Sequence, residues 1–143
     1  PSAMARLVEK NVAIKTGVVL RDEREQGERR QLNFGHTFGH AIENLYQLPH
    51  GHAISIGMHM ASVLSEQLAN FPAAQHERLQ KLLEQYELPL TCAYDKEKLF
   101  DVLKMDKKRE RDSIHFILLN AIGEAAIQLI PVEELRRLLN QSI

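Results

Sequence analysis

Leu32-Asn33-Phe34-Gly35-His36-Thr37-Phe38-Gly39-His40-Ala41-Ile42-Glu43, followed after a short break by Pro49-His50-Gly51-His52, holds four of the chain's seven histidines. On a helix, positions four apart lie one turn above each other, so His36 and His40 project from one face with Glu43 below them. Imidazole is a common ligand for zinc and related divalent ions, and a ligand from the following segment would leave a coordination position open for substrate or water. Paired histidines also occur on ordinary solvated faces, so the spacing alone does not decide the matter. Gly35 and Gly39 each precede a histidine, and each costs a helix about 1 kcal/mol relative to alanine. Two such costs in one turn imply that something bulky, either a ligand or another backbone, approaches closely there.

The 143 residues suffice for one domain with a sizeable core. A formal net charge of -1 leaves no basic footprint for nucleic acid. No apolar run is long enough to span a bilayer, and no signal-peptide pattern opens the chain. The single cysteine, Cys92, fits a reducing cytoplasm and reads as core filler rather than nucleophile.

Working outward, the spacing of Ala5, Leu7, Val8, Val12, Ile14 and Val18 predicts a first helix, capped by Ser2 and running to about Leu20. The pattern is under way almost from Pro1, which reads as a piece of a longer protein. Residues 21 to 31 are charged almost throughout and read as a surface link. A second helix is expected from Leu32 to Tyr46, a third from about His50 to Asn70 and a fourth from Ala73 to Tyr86 with Leu79, Leu82 and Leu83 inward. Asp95 caps a fifth reaching Met105. Met58 and Met60 read as core, and His59 as facing a neighbouring helix or solvent. Ser113 to Ile130 suggests two strands around a glycine turn, and Pro131 opens a final helix to about Leu139. The expected architecture is mainly α, a single multi-helix domain over 1–143 with one small β-hairpin.

Lys15, the run Asp22 to Arg29, Leu32 to Glu43, His50-Gly51 and Ile56-Gly57-Met58 together resemble the C-terminal half of 3-dehydroquinate synthase. Asp106-Lys107-Lys108 and Leu118-Leu119-Asn120-Ala121-Ile122-Gly123 resemble later segments of that family in the same order. The resemblance implies the metal- and substrate-binding domain of a dimeric, cytoplasmic enzyme of the shikimate route. That enzyme converts 3-deoxy-D-arabino-heptulosonate 7-phosphate to 3-dehydroquinate and phosphate with bound NAD and a divalent metal, zinc or else cobalt. By motif position it makes His36 and His50 metal ligands, places His40 beside the substrate near its phosphate, and gives Glu25 and Lys15 active-site roles. Arg29, Asn33 and one of Lys107 and Lys108 would bind substrate. It assigns no cofactor-binding residue to this chain, expecting NAD and a third metal ligand on a domain upstream of Pro1, so that these residues alone would be inactive.

The chain departs from the family at His52, where glutamate is usual. A neutral imidazole cannot replace the acceptor pair of a carboxylate, and His52 becomes a further candidate ligand. Three other readings stand beside the first. A related sugar phosphate cyclase, such as a 2-deoxy-scyllo-inosose synthase, would share the metal and NAD chemistry. An iron-dependent alcohol dehydrogenase would share a helical metal domain, against which the LNFGHTFGHAIE run speaks. A non-enzymatic helical interaction module would use its histidines structurally.

Overall fold

The computed structural model describes residues 2–105, 109–110 and 112–142. The chain divides into two compact units, Pro1–Asn33 and Phe34–Ile143. None of the described helices is long and apolar enough to cross a membrane.

The first unit is α1 (Ala3–Arg21) followed by a turn and a 3-10 helix over Glu28–Asn33. Ser2 caps α1 by accepting the Ala5 amide at 3.2 Å. Its periodic apolar positions are largely exposed within the described structure, Met4, Leu7, Val8, Val12 and Ile14 among them, whereas Val18 is buried. At the far end Arg21 grips the Glu28 carboxylate through Nε and Nη2 at 2.8 and 2.7 Å.

The second unit opens with an antiparallel helix pair, α2 (His36–Tyr46) and α3 (His50–Leu68). The expected helix from Leu32 is thus divided. Gly35 takes a left-handed φ of 79°, which ends the 3-10 segment and makes His36 the first α-helical residue. Gln47, also left-handed, closes α2 by donating its amide to the Glu43 carbonyl, and Pro49 enters α3.

What makes the pair possible is the absence of side chains where the helices touch. A Cβ on Gly39 would lie 2.6 Å from Ile54 Cδ1 and 3.1 Å from the Ala53 carbonyl oxygen. One on Gly57 would strike the Gly35 carbonyl oxygen and lie 2.6 Å from the Gly39 amide nitrogen. The bulky neighbour implied by the glycine spacing is therefore the backbone of α3.

Around this pair, α4 (Ala73–Gln85), α5 (Lys96–Lys104) and α6 (Val132–Ser142) pack with a small antiparallel sheet. The hairpin β2 (Ser113–Ala121) and β3 (Glu124–Pro131) pairs Ile117 with Ile127, and β1 (Arg109–Glu110) adds a short third strand beside β2. Pro131 is the last residue of β3 rather than the first of the helix, and α6 runs on past Leu139. The core joins Phe38 and Ile42 of α2, Ile56, Met60 and Leu64 of α3, Leu99 and Leu103 of α5, Phe116 and Leu118 of β2, and Leu135 of α6. The Phe38 and Phe116 rings meet at 5.1 Å. Ser65 ties α3 to the sheet by accepting the Leu119 amide at 2.9 Å. Asp95 caps α5, and its own amide donates to the Tyr46 hydroxyl at 2.7 Å.

On α4, Leu83 is buried but Leu82 is 50% exposed, so the inward row expected there shifts by part of a turn. The other buried position, two turns before Leu83, belongs to His76, whose Nδ1 donates to Glu66 at 2.9 Å. His59 of α3 lies against it, ring centroids 5.5 Å apart, and accepts from the Gln80 amide at 3.2 Å. Cys92 packs at the margin of the core, and burial pushes its thiol pKa up, as suits a packing residue.

Two outcomes follow from this packing. Gly57→Ala should destabilise the chain by about 1–3 kcal/mol in urea unfolding, since backbone rather than a movable side chain blocks the new methyl. Gly51→Ala, with open space at its Cβ, should cost nothing measurable. Burial first, and the neighbouring His76 second, lower the His59 pKa, while Glu66 and Glu84 oppose the shift. The unfolded chain therefore binds the extra proton more readily. Stability from this group is present above the unfolded imidazole pKa of about 6.5 and falls as the pH drops through the lowered folded value. Urea midpoints measured across that range should decline towards acid, and less so in His59→Gln.

Candidate functional site

The helix pair places three imidazoles together. His36 and His40 stand one turn apart on α2 with ring centroids at 5.2 Å, and His50, the first residue of α3, faces them at 6.1 and 6.0 Å. The register set by the glycines continues to this end of the pair, where Glu43 meets His50 at 2.9 Å. His36 is half-buried, and His40 and His50 are exposed.

The ring nitrogens are not equivalent. His36 Nδ1 lies 3.2 Å from the Phe34 carbonyl oxygen and His50 Nδ1 lies 2.9 Å from Glu43 Oε2. Carbonyl and carboxylate oxygens only accept, so each Nδ1 donates and each Nε2 keeps its lone pair in the neutral ring. His40 instead lines a groove between α2 and α5 with Thr37, Asn44, Val102 and Met105.

One ligand atom each from His40, Glu43 and His50 lie within 4.8 Å of one another, a group able to hold a cation. Glu43 is the residue to which the sequence reading gave no role, although its place three after His40 on the same face is the signal for it. His52 is exposed on the first turn of α3.

In the first unit the order comes from Asp22. Its carboxylate accepts the amides of Gln26, Gly27 and Arg29 at 3.0, 2.7 and 3.1 Å. Those backbone hydrogen bonds, Gln26 and Gly27 foremost, hold its carboxyl below the usual carboxylate range. The turn so formed brings three of the expected substrate residues together. Asn33 Nδ2 donates to Glu25 Oε1 at 2.6 Å, while Arg29 Nε lies 3.9 Å from Glu25 Oε2. Arg29 Nη1 also donates to the Glu23 carbonyl at 2.7 Å. Lys15 is exposed on α1, lining a groove with Asn11, Val12, Ile14 and Leu32. Lys107 and Lys108 lie outside the described residues.

With this geometry in view, the comparisons with known proteins are specific. The family described as 3-dehydroquinate synthase C-terminal matches residues 1–109, and the chain belongs to it. It is 48% identical over 127 residues to the 3-dehydroquinate synthase of Methylacidiphilum infernorum, a match covering 85% of this chain and 36% of the relative. The enzyme of the same name from Pyrococcus abyssi is 36% identical over 137 residues, 94% of this chain and 40% of that one. The chain thus spans well under half the length of these curated relatives.

Among solved structures, a 2-epi-5-epi-valiolone synthase from Streptomyces hygroscopicus subsp. jinggangensis superposes with a TM-score of 0.81. That match has 24% identity and covers 98% of this chain and 40% of that one. A 2-deoxy-scyllo-inosose synthase gives 0.76 at 24% identity, covering 92% and 40%. At that identity they establish the shared fold.

The turn in the first unit can be tested without substrate. Asp22→Ala removes the acceptor of three amides, so hydrogen exchange at Gln26, Gly27 and Arg29 should speed up at neutral pH while the amides of α3 stay protected. In the unmodified chain the protection of the same amides, measured against their intrinsic exchange rates, should fall only in acid, as the pH drops through the lowered Asp22 value, because protonation weakens the acceptor.

Proposed function

We propose that the chain supplies the metal- and substrate-binding part of a 3-dehydroquinate synthase. The reaction converts 3-deoxy-D-arabino-heptulosonate 7-phosphate to 3-dehydroquinate and inorganic phosphate, a carbon-oxygen lyase step of aromatic biosynthesis. The observation that carries this reading is the different treatment of the three imidazoles. His36 and His50 each have Nδ1 committed to an oxygen, which readies Nε2 for a cation, and His40 opens onto a groove.

The donor set fits a borderline divalent metal. Neutral imidazoles suit zinc or cobalt, and two of them leave coordination positions for another ligand and for substrate. The solved structures of similar fold bear on the choice, one complexed with NAD+ and Co2+ and the other with NAD+ and Zn2+. On this reading His36 and His50 hold the metal, whose chemistry when bound is Lewis-acid polarisation of the hydroxyl to be oxidised. The sequence carries no glycine-rich dinucleotide fingerprint, so NAD and the third protein ligand would be held by residues of the complete enzyme outside these 143.

The chain's own side chains then divide the remaining work. Arg29 offers a guanidinium to an anionic substrate group, kept in place by the Glu23 carbonyl and the Glu25 carboxylate. Glu25 and Asn33 present a paired acceptor and amide to substrate hydroxyls, and Lys15 adds a cationic donor. His40, without a committed Nδ1, can hold or release a proton beside the leaving phosphate. One of Lys107 and Lys108 adds a second cationic contact to the substrate. The complete protein would act in the cytoplasm as a homodimer.

Two measurements test this reading together. In the complete enzyme Arg29→Ala should lose activity on the heptulosonate phosphate while keeping its metal, and His36→Ala should lose both. The reverse pattern would show the roles exchanged, and a substrate panel favouring glucose 6-phosphate would point to a 2-deoxy-scyllo-inosose synthase. The 143 residues alone, given NAD and zinc, should form no dehydroquinate, and calorimetry should detect only weak zinc binding, lost on acidification as the imidazoles take up protons.

A further inference from the structure

Glu43 has a more specific part in this centre than its place on the α2 face implies. Its carboxylate is half-exposed, and its Oε2 meets His50 Nδ1 across the end of the helix pair at 2.9 Å. Free histidine favours neither fixed orientation nor one tautomer strongly enough to present a chosen nitrogen, and His50, exposed at the start of α3, has little packing to hold it. A carboxylate on Nδ1 does both things at once. It accepts the Nδ1 proton, which leaves the lone pair on Nε2, and it fixes the ring plane from a neighbouring helix whose register is set by backbone contact.

We propose that Glu43 is the positioning residue for His50, holding it in the Nδ1–H tautomer with Nε2 available to the divalent metal, and that it is not itself a ligand. The metal part rests on the function proposed above; the tautomer part does not. Its opposite number at His36 is the Phe34 carbonyl, which accepts from Nδ1 at 3.2 Å in the same manner. In both rings Nδ1 is engaged by an oxygen, from the residue preceding Gly35 for His36 and from α2 for His50, and Nε2 is the nitrogen left for a metal. Direct ligation by Glu43 is the competing arrangement, since its carboxylate also falls within the group of donors around His40 and His50. That arrangement would draw the carboxylate away from Nδ1 and leave the His50 ring unsupported.

The test begins with the metal-free chain. Long-range proton–nitrogen NMR of the imidazoles, at a pH well above their titration range, should show His50 as the Nδ1–H tautomer. Glu43→Ala should abolish that preference, and Glu43→Gln, whose amide oxygen still accepts, should retain it in part. His36→Ala should leave the His50 tautomer untouched. In the complete enzyme, zinc competition with a chromophoric chelator should then show a 10–100-fold loss of affinity in Glu43→Ala, the range usual for a lost ligand-orienting partner, and a smaller loss in Glu43→Gln.

A His50 tautomer that ignores Glu43→Ala overturns the proposal. So does a Glu43→Gln variant that keeps the tautomer but loses zinc as completely as His36→Ala, for then Glu43 is a ligand. If the tautomer responds as expected and zinc binding is indifferent to His36→Ala and His50→Ala, the metal assignment falls by itself and the orienting role is refuted as a metal function.

Discussion

The closeness of α2 and α3 is the constraint on which the second unit depends. Helices that cross with ordinary side chains between them sit 8–10 Å apart, and direct contact of backbone with backbone requires glycine at the crossing. Here Gly35, Gly39 and Gly57 form that crossing, with the Gly57 Cα position set against the Gly35 carbonyl and the Gly39 amide. Gly39 and Gly57, which lie inside helices, each weaken their helix by about 1 kcal/mol relative to alanine, so the arrangement stands only because packing elsewhere exceeds that cost. Phe38, Ile42, Ile56, Met60 and Leu64 on the same two helices are almost wholly buried, and burial of side chains of this size contributes about 1.5–3 kcal/mol each. The crossing also fixes register. Gly39 against Ala53 and Ile54 leads to Glu43 against His50 one turn on, so the same glycines that let the helices touch determine which side chains meet at the end of the pair.

Much of this was legible in the sequence because helical spacing is a strong constraint on a short, distinctive run. His36 and His40 had to share a face once the segment was helical, and the paired glycines had to mean close approach. Which of a ligand or a backbone approached was not readable, since the answer lies at Gly57, far along the chain. The helix boundary was misplaced for a related reason. A glycine inside an apolar periodic run reads as a tolerated weakness, whereas Gly35 adopts a φ closed to most other residues and divides the run into a 3-10 segment and α2. Pro131 reads equally well as a helix opening or a strand end, and its pairing with Ser113 across the sheet decides for the strand.

The charged link between α1 and the 3-10 helix shows a different limit. Composition gives a solvated surface, and none of the residues is buried, but the order within it comes from a single carboxylate. Asp22 gathers three amides, and the chain then turns so that Glu25 takes a left-handed φ and meets Asn33. Aspartate is suited to this because its short side chain reaches backbone amides a few residues ahead. No periodicity announces such a turn. The family resemblance named Glu25, Arg29 and Asn33 by position alone, and their convergence on one carboxylate supplies a physical reason why three residues in a charged run should act together.

The two oxygens that orient His36 and His50 differ in charge, and that difference matters to what the centre can do. The Phe34 carbonyl fixes a tautomer with a partial charge only, while Glu43 brings a formal negative charge to the edge of the imidazole group. With the three rings neutral, Glu43 holds the formal charge among these four side chains. A donor set of imidazoles takes little of a divalent cation's charge, which preserves its power to polarise an oxygen; a set of several carboxylates would neutralise it. In the proposed site, a carboxylate on the far nitrogen of the His50 ring would strengthen that ring as a donor while conceding less of the Lewis acidity than direct ligation would. If His36 and His50 hold the metal as proposed, the geometry at the end of the α2 and α3 pair would reconcile two demands that conflict in a simpler site: a firmly placed ligand, and a cation left positive enough to act on a hydroxyl.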